Sequence, residues 1–339
     1  MTLNSAASPF IPDSCLIDLH LHLDGSLSEN TARALAAQQD IPVPQDSDAL
    51  ARLLHVPSDC KSLNDYLKCF DFPLTLLQTP PAISESVRRL CGELKEQGLI
   101  YAEIRFAPQL HTRAAMTQED AVRAAVEGAE NSDLETGLIL CCMRGSDNAQ
   151  ENMTTARLAA KYLGHGVCAA DLAGAEGLFP NELFKDIFDY LRGEDIPFTL
   201  HAGEADGAQS VRTAVEYGAR RIGHGVRSAE DPALLHELAG RGIALEICPT
   251  SNINTRVFES VNDLPFKVFE AANVRMCICT DNMSVSNTTL RRELSLAARA
   301  SGESGFVQRR LLDAAEAAFA SPSVKSRMKE QILKTFATS

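Results

Sequence analysis

LIDLHLHLDGSLS, residues 16–28, decides how the rest of the chain is read. It opens as a short, mostly apolar run and breaks off at Asp-Gly-Ser. Seven further runs share its character: YAEIRFAP (101–108), GLILCCM (137–143), VCAADLAG (167–174), PFTLHAG (197–203), ARRIGHG (219–225), ALEICPTS (244–251) and RMCICTD (275–281). With CLIDLHL (15–21) they make eight. Their nearly continuous apolar character suits strands buried on both faces, as in a parallel sheet.

Helical patterns lie between them. Ser84 to Gln97 carries Val87, Leu90, Cys91 and Leu94 at helical spacing, with Gly98 as a stop. Thr117 opens another, with Glu119 and Asp120 in its first turn. Asp206 to Tyr217 and Asp231 to Ala239 each end before a glycine. Eight strands alternating with helices predict an α/β fold, a (β/α)8 TIM barrel. A doubly wound open sheet is the runner-up, but no G-x-G-x-x-G follows the first strand. Extra helices are expected in two places: residues 29–80, after strand 1, and the C-terminus beyond Asp281, which reads as about three helices. In the first, Leu63, Tyr66, Leu67 and Phe70 follow an i, i+3, i+4, i+7 stripe. The basic stretch VKSRMKEQILK (324–334) reads as a solvated helix face. No repeat or linker interrupts the chain, so residues 1–339 are expected to form one domain.

Asp and Glu total 45 against 32 Lys and Arg, a formal net charge of −13. Such a surface argues against a nucleic-acid or anionic-membrane partner. The 10 cysteines show no C-x-x-C pair or framework spacing and read as reduced, buried thiols of a cytoplasmic protein. MTLNSAASPFIPDS (1–14) has neither a basic nor an apolar signal region, and no apolar run is long enough to span a bilayer. Oligomeric state is not legible.

Strand side chains alternate between faces, so Asp18, His20 and His22 share one and Ile17, Leu19 and Leu21 the other. Two imidazoles there read about equally as ligands of one metal ion or as two satisfied core histidines. His201 ends another strand candidate, and Glu204 follows three residues later. Glu204 reads as a general acid/base beside a metal site, or as a cap on the helix starting near Asp206. His224 stands between two glycines, which suits either a tight turn or a close backbone approach. Asp281 ends the last candidate, where an acid needs a cation or a donor. His20, His22, His201, His224 and Asp281 all fall at predicted strand C-terminal ends, where (β/α)8 barrels build active sites. His55, His111, His165 and His236 lie in helix or loop patterns and read as structural or surface residues.

HLHLDGS (20–26), LNDYLKCFD (63–71), EIRFAP (103–108), DLAG (171–174), HAGE (201–204), GHG (223–225), PTSN (249–252) and TDN (280–282), in this order, resemble the adenosine deaminase family of zinc aminohydrolases over nearly the whole chain. The resemblance implies one Zn2+ held by His20, His22, His201 and Asp281. It implies that Glu204 protonates N1 of the purine and that His224 orients and stabilises the attacking hydroxide. Asp24 would accept a hydrogen bond from the ribose 5′-hydroxyl and the Gly174 N–H would meet N3. Leu63, Tyr66, Leu67 and Phe70 resemble the apolar lid over sugar and base. The implied reaction is hydrolytic deamination of adenosine, and of 2′-deoxyadenosine, with a purine nucleoside as the small-molecule partner. Glu204 is then expected to keep its proton near neutral pH.

One residue departs from the commonest family pattern. Asn282 stands where a second acid donates to purine N7; some bacterial members share this form. An amide donates without needing an added proton. The alternative substrates are other aminopurines: adenine, AMP, aminodeoxyfutalosine or a modified adenosine. Adenine and futalosine deaminases tend to carry Glu where this chain has Asp24, and no Arg/Lys cluster near the motifs offers an AMP phosphate site. Two-metal hydrolases on the same barrel need a bridging lysine, and no strand candidate ends in one. The cytidine-deaminase zinc pattern, H-x-E with P-C-x-x-C, is absent. A barrel kept only for binding is the last alternative; every implied ligand and the acid are present, which argues against it.

Overall fold

The computed structural model describes residues 9–113 and 115–337. Residues 1–8, the start of the stretch read for a secretory signal, lie outside it. Eight strands carry the fold: β1 (Leu16–His22), β2 (Leu99–Phe106), β3 (Glu135–Met143), β4 (Val167–Ala173), β5 (His201–Ala202), β6 (Arg221–His224), β7 (Ala244–Ile247) and β8 (Arg275–Ile278). They pair in chain order as two four-stranded sheets, β1 to β4 and β5 to β8, every pair parallel. Backbone hydrogen bonds join the sheets at both seams. Beside β1, the His22 N–H donates to Asp281 O (2.7 Å) and the Asp281 N–H to His20 O (2.8 Å). Beside β4, the Ala170 N–H donates to Pro197 O and the Thr199 N–H to Ala170 O, both at 3.1 Å. The strands therefore follow the cyclic order of a (β/α)8 barrel.

Helices α1 (Glu29–Gln38), α2 (Ser47–Leu54), α3 (Leu63–Leu67), α4 (Asp71–Leu76) and α5 (Pro80–Glu96) lie between β1 and β2. Then α6 (Gln118–Glu130), α7 (Ala149–Tyr162), α8 (Lys185–Gly193), α9 (Ala208–Glu216) and α10 (Pro232–Arg241) follow β2 to β6 in turn. α11 (Pro249–Asn254) and α12 (Phe266–Ala271) follow β7, and α13 (Leu290–Ser301), α14 (Phe306–Ala317) and α15 (Pro322–Ala337) follow β8. Both expected groups of extra helices are thus present. No helix among the described residues is long and apolar enough to cross a membrane.

Local chemistry explains where elements start and stop. α5 begins at Pro80, four residues before the expected Ser84, because Thr79 caps the Ala82 N–H and proline suits a first turn that needs no N–H. α6 opens on a capping box between Thr117 and Asp120. The sequence overstates the later strands. The run 197–203 is ordered as strand only at His201–Ala202; before it, Phe198 makes a single isolated bridge to Ala170 of β4. β7 stops at Ile247 because Pro249 opens α11. In the basic C-terminal stretch, Met328 and Ile332 are buried in the main core, so only the remaining face is solvated.

β1 is not a regular strand. Asp18 pairs with Ala102 but Leu21 with Ile104, so β1 holds one extra residue between them, a bulge at Leu19–His20. Leu19 O leaves the ladder there and accepts from Arg105 Nη2 (2.6 Å). This irregularity lies directly beneath the two histidines that open the site.

Candidate active site

Every residue singled out in the sequence except His20 lines one pocket at the C-terminal mouth of the barrel: His22, Asp24, Leu63, Tyr66, Leu67, Phe70, Gly174, His201, Glu204, His224, Asp281 and Asn282. His20 lies fully buried behind it. β1 and β6 end in His22 and His224, His201 opens the two-residue β5, and Asp281 follows β8. His224 (φ 58°) and Asp281 (φ 61°) both sit in the left-handed region, a strained backbone for residues with a Cβ. A Cβ on Gly223 would lie 3.2 Å from His20 Cε1 and 3.2 Å from His201 Cα, tighter than an ordinary contact. The close approach is to the His20 ring of β1 and to the backbone and ring of His201 in β5.

The histidine tautomers follow from their partners. His20 Nδ1–H donates to Glu246 Oε2 (2.8 Å), and His201 Nδ1–H donates to Asp171 (3.0 Å to Oδ2). Both rings therefore aim an Nε2 lone pair at the centre. There His20 Nε2 has no hydrogen-bond partner and faces Asp281 Oδ1 at 3.3 Å. His22 Nε2 lies 3.3 Å from His201 Nε2 and 3.4 Å from Asp281 Oδ1. Lone pairs and a carboxylate oxygen crowded together repel unless a cation lies among them, so this donor set fits a metal ion. Three imidazoles and one carboxylate suit a borderline ion such as zinc.

Geometry alone marks a second combination. Ligand atoms of His20, His201, His224 and Asp281 all lie within 4.8 Å of one another. Hydrogen bonding separates His224 from the others. Asn252 Nδ2 donates to its Nδ1 (3.2 Å), which leaves the ring proton on Nε2, pointing toward Glu204 Oε2 at 3.6 Å. A protonated Nε2 cannot be a ligand; it can donate to an oxygen beside the centre.

The charges follow from burial and neighbours. Burial lowers His22 well below its usual range and His224 to about 3, so both rings are neutral. Burial and Arg105 work to lower His20, yet Asp281 and Glu246 on either side raise it; a divalent ion would take that proton's place. Burial opposes ionisation of Asp281, but His20, His22 and His224 hold it below the carboxylate range. Glu204 goes the other way: burial, then the charges of Asp281 and Glu176, push it well above. It does not cap α9, whose N-cap is Gly207. Burial also raises Asp24, to about 6, and its Oδ1 has no partner.

The Asn282 amide lies over Gly25, where a Cβ would come within 1.8 Å of its Oδ1. Tyr66 is buried and its hydroxyl bonds Ser286 Oγ (2.7 Å), tying α3 to the loop after β8. His55, His165 and His236 lie away from the pocket, and His111 is buried with Nδ1–H donating to Leu77 O (2.9 Å).

Sequence reasoning missed the layer beneath. Arg105 donates to both histidine-holding carboxylates, Asp171 (3.0 Å) and Glu246 (2.9 Å), and Arg221 joins Glu246 (2.6 Å) to Glu103 (2.5 Å). All five side chains are buried. Burial opposes charge on Asp171 and Glu246; His201 and Arg105 hold the first ionised, and Arg105, Arg221 and His20 the second. The available signal was charge inside otherwise apolar strand runs. Asn252 and Glu176 were also missed.

A family model described as adenosine deaminase matches residues 15–335. An adenosine deaminase of Haemophilus ducreyi is 47% identical over 292 residues, covering 84% of this chain and 85% of the relative. Among solved structures, an adenine deaminase from Arthrobacter aurescens aligns with a TM-score of 0.84 at 21% identity, over 97% of this chain and 100% of that one. An amidohydrolase from Burkholderia ambifaria with bound Zn gives a TM-score of 0.84 at 20% identity, over 95% and 91%. These two speak to the fold alone.

Proposed function

The chain belongs to the adenosine deaminase family and hydrolyses adenosine to inosine and ammonia; from that premise we propose that His20, His22, His201 and Asp281 hold one Zn2+ and that Glu204 and His224 carry out proton transfer and orientation beside it. The observation that carries this reading is the convergence of two Nε2 lone pairs, each fixed by a carboxylate on Nδ1, upon His22 and an ionised Asp281. When bound, such an ion lowers the pKa of water to about 7 and so supplies a nucleophile at neutral pH.

The chain's own groups do the rest. His224, neutral with its proton on Nε2, donates to the attacking oxygen and aims it at C6. As the C–O bond forms, the C6–N1 π electrons move onto N1, which takes the proton that Glu204 holds. C6 becomes tetrahedral; the proton on the added oxygen passes by way of the now ionised Glu204 to the amino group, the C–N bond breaks to release ammonia, and the oxygen is left as the carbonyl of inosine. The Gly174 N–H meets N3, Asn282 donates its amide N–H to N7, and the unpartnered Asp24 Oδ1 accepts from the ribose 5′-hydroxyl. Leu63, Tyr66, Leu67 and Phe70 close over base and sugar and keep water out. None of these contacts uses the 2′-hydroxyl, so 2′-deoxyadenosine is a substrate as well.

We place this activity in one domain spanning 1–339 and in the cytoplasm; the ten cysteines are all unpaired, as a reducing compartment requires. Nucleic acid and membrane are not partners of so acidic a chain. The test is the ultraviolet spectrum of adenosine with purified protein, with adenine, AMP and 2′-deoxyadenosine in parallel. A shift to the inosine spectrum that a chelator abolishes is expected. Turnover of adenine or AMP in place of adenosine would move the substrate, and chelator-resistant turnover would remove the metal.

A further inference from the structure

Four consecutive backbone N–H groups follow β5, and none has a backbone acceptor. Gly203, Glu204, Ala205 and Asp206 all donate instead to one buried side chain, Glu176. Its Oε1 accepts from the Gly203 N–H (2.6 Å) and from the Ser210 hydroxyl (2.5 Å). Its Oε2 accepts from the N–H groups of Glu204 (3.0 Å), Ala205 (2.7 Å) and Asp206 (3.1 Å). Glu176 is 1% exposed. The Gly203 and Glu204 donors are buried and must be paired, and the Ala205 and Asp206 N–H groups turn to the same carboxylate, so the path of this segment depends on it.

The clamp is itself braced. Asn181 Nδ2 donates to Ser210 Oγ (3.0 Å), and Arg144 Nη2 donates to Asn181 Oδ1 and to His201 O, both at 2.6 Å. Glu176 stands two residues after Gly174 on the loop that follows β4. One short loop thus carries both the N–H assigned to purine N3 and the carboxylate that holds the Glu204 backbone.

We propose that Glu176 is a positioning residue for the reaction: it locks residues 203–206 onto the Gly174 loop, so that the groups addressing N1 and N3 of the base keep a fixed separation. The proposal rests on the roles given above to Glu204 and Gly174. Only a carboxylate meets the demand. All five partners are donors, and a carboxylate offers them two oxygens. Glutamine of the same shape offers one oxygen and turns an NH2 onto two or three of the donors. The loop then relaxes and Glu204 shifts; a displacement of about 1 Å costs roughly 10²-fold in rate.

The experiment is a double-mutant cycle on the metal-loaded enzyme. Glu176→Gln, Glu204→Gln and the double variant are compared for kcat, KM, metal content and amide exchange over residues 202–207. Expected for Glu176→Gln are a kcat lowered by roughly 10²-fold, KM and metal content near wild type, and faster exchange at 203–206. In the Glu204→Gln background the same change lowers the residual turnover no further, because its effect passes through Glu204. Ser210→Ala removes one donor, leaves the amides paired and gives a several-fold loss that also vanishes in that background. It carries the test if Glu176→Gln does not fold. A kcat within twofold of wild type, or a loss that persists unchanged in the Glu204→Gln background, overturns the proposal and leaves the site assignment standing. Near-wild-type turnover by Glu204→Gln alone overturns the assignment itself.

Discussion

Glu246 touches His20 and two arginines at once. Its Oε2 accepts from His20 Nδ1 and Arg105 Nη2, and its Oε1 from Arg221 Nε and Thr199 Oγ1. Glu246→Gln replaces one oxygen with an NH2 facing donors and removes the charge that fixes the His20 tautomer. Zinc affinity, measured against a competing chelator, is expected to fall roughly 10- to 100-fold. Unchanged affinity would leave Glu246 a part of the buried ion network and nothing more. HLHLDGS, HAGE, GHG and TDN were legible because each sets unusual residue types at the end of an apolar run. Glu246, Asp171 and Arg105 stood in equally plain view inside ALEICPTS, VCAADLAG and EIRFAP. Their meaning was not legible, because it lies in partners far away in sequence that only barrel closure brings together. His224 shows the same limit from the other side. Its identity stood out, but its tautomer depends on Asn252, which no local pattern couples to it.

At the scale of elements, the apolar stripe beside the pocket was readable and the strand ends were not. The stripe of Leu63, Tyr66, Leu67 and Phe70 needs only helical periodicity, and the four side chains do line the pocket. Strand ends depend on which backbone groups find a neighbour, so β5 shrank to His201–Ala202 despite an apolar run before it. The lid is held by the buried Tyr66–Ser286 hydroxyl pair, 2.7 Å apart. Tyr66→Phe keeps the packing and deletes that bond, a loss of about 1 kcal/mol. The closed lid becomes less populated, so KM for adenosine is expected to rise about fivefold, while metal content stays at wild type. A change in kcat with KM unchanged would show that Tyr66 serves the chemistry and not the closure.

At the scale of the molecule, buried titratable groups set the acid limit of the fold. His111 is fully buried, and burial holds it near 4 against 6.5 when unperturbed; its Nδ1–H bond to Leu77 O opposes the shift only in part. As pH falls through that window the unfolded chain takes up the proton first. The stability contributed by a neutral His111 is complete above 6.5 and lost as pH falls toward 4. The shift corresponds to about 3 kcal/mol. His111→Gln does not titrate, so the stability gap between wild type and variant in urea unfolding is expected to shrink by about that amount between pH 7 and pH 4. An unchanged gap would mean that His111 does not titrate in that range.

The two half-barrels meet at only two seams, and the proposed metal site straddles one of them. His20 and His22 belong to β1 in the first sheet; His201 belongs to β5 in the second, and Asp281 follows β8, the strand at that seam. An ion bound there ties one sheet to the other and favours the folded state by mass action, about 4 kcal/mol at a thousandfold excess over its Kd. For a chain of this size that corresponds to roughly 6 °C in Tm. Dialysis against a chelator is expected to lower Tm by that amount, and added zinc to restore it. The same measurement decides between the two donor combinations that the geometry presents. His22→Ala should lose most of the zinc-dependent rise in Tm, whereas His224→Ala should keep it and lose turnover. The reverse result would put His224 among the ligands, require its proton on Nδ1, and turn the Asn252 amide over to accept it. A Tm indifferent to zinc in the wild type would mean that the folded chain does not bind the ion in preference to the unfolded one, and would remove the metal site.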